Sequence, residues 1–257
     1  MFYANERDYG FGVIDLHTHV LPGLDDGTRT LAEARALALE AAAHGVTALA
    51  ATPHVRDDYP TRPEAMEDAV AELRQDFAQH GVPVEVLHGA EIALDLLWMI
   101  SPPDLRRLTL AQTGRYLLLE VPYRGWPLAL ESAVKRLIEL GVTPLLAHPE
   151  RNPDVQDRPD RVRGVVEAGA LVQVTAASIE GSRDRAAQAA ARRLLELDCV
   201  HVLASDAHGP HIPRQGMAEA VAALGDAALA KYLTEDVPAA IVVGDPVPDR
   251  PQVGLGA

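Results

Sequence analysis

Short apolar runs along this chain end, one after another, in histidine, aspartate or glutamate. "VIDLH" leads into His17 and His19, with Asp26 a few residues on. "TALAATPH" ends in His54, "VEVLHGAE" in Glu91, "YLLLE" in Glu120 and "PLLAH" in His148, while "HVLASDAH" supplies Asp206 and His208. Side chains two apart on a strand face the same way, so His17 and His19 can grip one ion, and Asp206 and His208 repeat the spacing. Four carboxylates gathered without positive charge would be very costly. Mixed imidazole and carboxylate donors suit zinc, manganese or iron. Nine donors exceed the needs of one ion, so two or three divalent ions are expected, with Glu91 and Glu120 able to bridge. A lone strand-end histidine is ordinarily a packing residue. Its recurrence at strand after strand is what points to metal.

Those side chains meet only if the strand ends do. Helical stretches alternate with the apolar runs: "TLAEARALALEAAAHG", with Thr30 and Glu33 as a capping box and Gly45 as a stop, then "RPEAMEDAVAELRQDFAQHG", "LALESAVKRLIELG", "PDRVRGVVEAG", "RDRAAQAAARRLLELD" and a last helix "GMAEAVAALGD" before a proline-rich tail. About seven strand–helix alternations, with strands apolar throughout, predict an α/β fold with a parallel sheet covered by helices. In a parallel barrel the C-terminal strand ends share one face. No linker divides the chain, so a single domain over 1–257 is expected. No GxGxxG or GxxxxGK[ST] follows the first strand, which argues against a nucleotide-binding sheet.

The net charge of −14 opposes nucleic acid and anionic lipid as partners. No apolar run approaches the roughly 18 residues of a membrane span, and the N-terminus lacks a signal-peptide pattern. The single cysteine, Cys199, fits a reducing cytoplasm and a packing role. No Cys-x5-Arg loop surrounds it, which disfavours thiolate chemistry. His44, His80, His88 and His201 fall outside the strand-end pattern; His44 and His80 sit near helix C-termini. His211 lies close enough to the expected site to be a candidate for substrate contact.

The motifs "IDLHTHVLPGLDDGTRTLAEA", "ATPHV", "GAEI", "LLLEVP", "LLAHPER" and "LASDAHG", followed by Arg214, resemble the polymerase and histidinol phosphatase (PHP) superfamily. More narrowly they resemble the CpsB/CapC-type manganese-dependent tyrosine phosphatases of bacterial capsule and exopolysaccharide clusters. The resemblance implies a distorted, TIM-like (β/α)7 barrel holding three divalent ions, manganese first, with iron or zinc as alternatives. It implies His17, His19, Asp26, His54, Glu91, Glu120, His148, Asp206 and His208 as ligands, and Arg151 and Arg214 as phosphate clamps. It also implies a phosphotyrosine protein as substrate, a bacterial tyrosine kinase foremost. Asn152 stands where an aromatic is common, and His88 precedes "GAEI" unexpectedly. Oligomeric state is not implied.

Three divalent ions outweigh four carboxylates by two charges, which matches a phosphate monoester dianion. A water or hydroxide between two ions would attack, and planar guanidinium forks would hold the phosphoryl oxygens. The nearest rival is another PHP phosphoesterase, such as a histidinol-phosphate phosphatase. An amidohydrolase would want a carboxylated lysine, and Lys135 and Lys231 both fall in helical segments. A scaffold without activity would have lost ligands.

Overall fold

The structure, a computed structural model, describes residues 12–182, 184–210 and 216–251. Among these residues ten strand segments carry the architecture: β1 Val13–Thr18, β2 Val46–Ala51, β3 His54–Arg56, β4 Tyr59–Pro60, β5 Glu85–His88, β6 Glu91–Ala93, β7 Tyr116–Glu120, β8 Thr143–Ala147, β9 Leu171–Thr175 and β10 Val202–Ala204. They form a three-stranded sheet, β1-β2-β5, and a seven-stranded sheet, β10-β9-β8-β7-β6-β3-β4. Every pairing is parallel except the short β3–β4 hairpin. At the far end β10 returns beside β1: Asp206 N donates to His17 O at 2.8 Å, His19 N donates to Ala207 O at 2.8 Å, and Thr18 bridges Ala207. The (β/α) alternation is thus wound into a barrel-like arrangement.

The second strand is cut at Pro53, as the sequence leads one to expect, and the third is broken as well. Pro53, which has no N–H to donate, separates β2 from β3, and Gly89–Ala90 separates β5 from β6. The breaks are in register: Ala51 pairs with His88 below them and His54 with Glu91 above. Gly89 is required there, because a Cβ would lie 2.9 Å from Thr52 Cγ2 and 3.0 Å from Leu110 Cδ2. The continuous third strand expected from "VEVLHGAEI" is therefore two pieces in two sheets. Apolar pattern cannot register a step taken jointly by neighbouring strands.

Strands β7 and β9 are buried at every position, as a sheet covered on both faces demands. One large apolar cluster, including Leu16, Ala50, Leu117, Leu146, Val172 and Leu203, fills the interior. A smaller one packs helices Leu31–Ala43 and Pro63–His80 against β2 and β5 through Leu37, Leu49, Leu73, Phe77 and Val86. Thr30 caps the first of these helices by accepting from Glu33 N at 3.2 Å; the Glu33 carboxylate closes onto Arg29 N rather than Thr30 N, so the capping box is shifted by one residue. Gly81 ends the second helix in the left-handed region.

The "PDRVRGVVEAG" helix is shorter than the sequence suggests, a single turn at Pro159–Arg161 followed by Val162–Glu167. The C-terminal expectation is corrected more substantially. "GMAEAVAALGD" is not the last helix: Ala227–Lys231, a π turn at Tyr232–Asp236 and Val237–Val243 follow it. Val237–Ile241 is buried at every position, so it carries no polar face from which a helical period could be read. The proline-rich tail is anchored. Tyr116 Oη donates to Asp245 O at 2.6 Å, and Arg250 donates to Val200 O and pairs with Asp198. Among the described residues no helix is long and apolar enough to cross a membrane.

Candidate metal centre

The nine strand-end residues converge. Their donor atoms form four overlapping groups, each within 4.8 Å: His17, His19 and Asp206; His17, Glu91 and His148; His54, Glu91 and Glu120; and His19, Asp26, His54 and His208. The inner residues are almost sealed from solvent, His17, His19 and Glu91 at 0% exposure. Asp26 and His208 form the solvent side, each with a donor atom 3.5 Å from the other.

Backbone conformation aims several of these groups. His148 (φ 32°) and Asp206 (φ 55°) lie in the left-handed region, where non-glycine residues are uncommon and strain collects at functional sites. The "GLDDGT" loop folds back on strand β1, with Thr28 N donating to His19 O at 3.1 Å. Gly27 permits this approach: a Cβ there would lie 2.1 Å from His19 O.

Outer partners fix the imidazoles. His17 Nδ1 donates to Gln173 Oε1 at 3.1 Å, and His19 Nδ1 donates to Asp25 Oδ2 at 2.6 Å. Each leaves its Nε2 lone pair facing inward. Those two Nε2 atoms are 3.2 Å apart, and both lie within 3.2 Å of Asp206 Oδ1. His54 Nδ1 and Glu91 Oε2 are 2.9 Å apart, yet neither has a hydrogen bond. Glu120 Oε1 and Asp206 Oδ1 are likewise buried without partners. Acceptors converging with nothing donated between them is an arrangement that a cation completes and an all-protein network does not.

Proton affinities follow from the same crowding. Burial opposes charge on His17 and His19, but the neighbouring carboxylates outweigh it and raise both, His19 well above the usual imidazole value. Burial works against the Glu91 and Asp206 carboxylates, yet the surrounding imidazoles hold both well below the usual range, with Arg151 assisting at Asp206. Glu120, by contrast, is pushed up to about 7 by burial and by the Glu91 charge.

Arg151 reaches the cluster and contacts Asp206 Oδ2; its Nε is buried without a partner. Arg214 and His211 lie outside the described residues. His44 and His80 engage Glu219 and the Asp76 carbonyl, away from the cluster. Asn152, the residue at the departure from the family pattern, donates to Pro122 O and Gly125 O, and so pins the loop after β7.

Sequence reasoning passed over two residues. Asp25 holds His19 and also accepts from His54 N at 3.0 Å, while Gln173 holds both His17 and His148 N. The repeated aspartate of "LDDG" was the available signal for Asp25. A glutamine inside an apolar strand, "LVQVT", was the signal for Gln173. Asp25→Asn is expected to weaken divalent-metal affinity about 10–100-fold, the range for a residue that holds a ligand in place, with occupancy recovered at excess metal. A metal titration followed by calorimetry measures it, and an unchanged affinity would refute the positioning role.

A family model described as capsular polysaccharide synthesis, CpsB/CapC, matches residues 13–244. The tyrosine-protein phosphatase YwqE of Bacillus subtilis is 33% identical over 199 residues, covering 76% of this chain and 77% of that protein. The tyrosine-protein phosphatase CpsB of Streptococcus pneumoniae is 28% identical over 204 residues, covering 76% and 83%. A solved structure from work on YwqE and CpsB, described as unique metal-dependent tyrosine phosphatases, superposes with a TM-score of 0.82 at 29% identity, covering 91% of this chain and 96% of that one. A probable 2-pyrone-4,6-dicarboxylic acid hydrolase of Acinetobacter baumannii shares the fold alone, with a TM-score of 0.51 at 13% identity.

Proposed function

The chain belongs to the CpsB/CapC family of capsular polysaccharide synthesis proteins, and from that premise we propose that it is a metal-dependent phosphatase of phosphotyrosine in proteins. The carrying observation is that the donor groups of His54, Glu91 and Glu120 and of His17, His19 and Asp206 each include buried atoms without a hydrogen-bond partner: His54 Nδ1, Glu91 Oε2 and Glu120 Oε1 in the first, Asp206 Oδ1 in the second. His17, His19, Asp26, His54, Glu91, Glu120, His148, Asp206 and His208 would hold three divalent ions, manganese first. Such ions supply Lewis acidity toward the phosphoryl oxygens and make water a nucleophile at neutral pH.

The chain's own residues do the rest. Gln173 and Asp25 keep the inner imidazoles in the metal-binding tautomer. Arg151, anchored on Asp206 and with its Nε buried without a partner, is the proposed phosphate clamp, and Arg214 is its proposed companion. Solvent-side Asp26 and His208 mark the direction from which substrate arrives. A phenolate leaves more readily than an alkoxide, so a phosphotyrosine ester asks little of a general acid. The proposed substrate is a bacterial tyrosine kinase, and the proposed setting is the cytoplasm.

The test is turnover of a phosphotyrosine peptide beside a phosphoserine peptide and histidinol phosphate by manganese-loaded protein. The phosphotyrosine peptide should lead in kcat/KM by at least about tenfold. Preference for histidinol phosphate would move the enzyme to the neighbouring PHP activity.

A further inference from the structure

A groove of about 360 Å³ meets the candidate metal centre at Glu120. Glu120, itself a donor of the cluster and only 5% exposed, lies on its wall. Three segments make the rest: Arg56 at the end of β3 with Asp57 and Asp58 of the β3–β4 turn, Ala93 at the end of β6 with Leu94 and Asp95 after it, and Val121 to Tyr123 after β7. Whatever is attached to a phosphate held at the cluster has this groove beside it.

Among the described residues Arg56 is the one cation on these walls, and it is held in place. The Arg56 guanidinium lies over the Tyr59 ring, 5.1 Å from its centroid, and Tyr59 in turn stacks on the His54 ring at 5.8 Å and 16°. Arg56 Nε donates to Asp58 at 2.7 Å, its Nη1 is 3.8 Å from Glu120 Oε2, and it engages the Tyr123 hydroxyl. Tyr123 is 56% exposed; an aromatic ring is left uncovered on the wall of this groove. Its loop is fixed from below by Asn152, so the ring is presented by a braced turn. A planar guanidinium and a phenol ring side by side favour a flat aromatic guest, through stacking and cation–π-like contact.

We propose that Arg56 and Tyr123 form the wall that receives the aromatic ring of the substrate, and so select aryl over alkyl phosphate esters. Tyr59 is a positioning residue behind Arg56. The inference rests on the proposed phosphatase function and names the feature that narrows it to aryl esters.

Binding of phenylphosphonate and methylphosphonate to the manganese-loaded protein, measured by calorimetry, isolates the ring from the chemistry. The phenyl compound should bind about tenfold more tightly. Tyr123→Ala and Arg56→Met should each shrink that ratio about three- to tenfold, their effect falling on the ratio rather than on both ligands alike. Equal affinities in the unaltered protein, a ratio that survives both substitutions, or no binding of either compound would overturn the wall. Phosphotyrosine peptide turnover, run in parallel, separates the two readings. A phenyl preference without peptide hydrolysis sinks the proposed function and leaves the wall. Peptide hydrolysis without a phenyl preference does the reverse.

Discussion

Glu91→Gln is expected to lower kcat/KM by at least about 10³-fold, beyond the 10–100-fold typical of an outer partner, and to reduce bound metal in the same preparation. The side chain is fully buried. Its Oε1 lies 2.9 Å from His148 Nε2, and its Oε2 lies 2.9 Å from His54 Nδ1 and 3.3 Å from His17 Nε2. Glu91 is shared by two of the four donor groups. Glutamine preserves shape and volume but removes one charge and turns one acceptor into an NH2 group facing imidazole lone pairs. If Glu91 were only a buried ion-pair partner, the substitution would cost about 3–5 kcal/mol of stability and leave the activity of the folded fraction intact. Metal analysis with denaturant unfolding distinguishes the two. A stably folded variant with full metal content and full activity would defeat the central role of this carboxylate.

The strand-end rule made the cluster legible because a parallel sheet sends every C-terminal end to one face. His17 and His19, or His148, could be placed beside Glu91 without knowing any loop. Pro53 marked the break in the second strand; what pattern could not supply was the matching step at Gly89–Ala90, which makes His54 and Glu91 register partners and depends on two strands breaking together. Asp25 and Asp26 are adjacent and chemically identical, and only the fold-back permitted by Gly27 decides that the first holds His19 while the second faces solvent. The helical run Ala227–Val243 was illegible for the opposite reason. Its second half is buried on all sides, and a helix without a wet face leaves no periodic trace.

Chelation is the complementary experiment, and it acts on stability as well as rate. EDTA should abolish measurable phosphatase activity, manganese should restore it, and the stripped protein should melt at a temperature lower by on the order of 5–10 °C. Ligand at about 100 times its Kd stabilises by ~2.7 kcal/mol, and each kcal/mol moves Tm by about 2–4 °C at this size. The stripped protein should also respond to pH in a characteristic direction. Without cations, protons take the inward positions: His17 and His19 are raised by Glu91 and Asp206 against the effect of burial, and Glu120 is pushed up to about 7. A group whose folded value is raised contributes stability below its unfolded value and loses it as pH climbs through the folded one. For the two histidines that loss begins above the ordinary imidazole value of about 6.5. His148 and His208 are lowered, so their contribution is complete by the same pH and does not offset it. From about pH 7 upward the stripped protein should therefore lose stability, while the manganese-loaded protein, whose donors are already deprotonated by the metal, should gain or hold it. Thermal melts of both forms across that range measure the divergence. Parallel curves would mean that the convergent lone pairs are satisfied by protein alone, and the metal centre would have no physical basis.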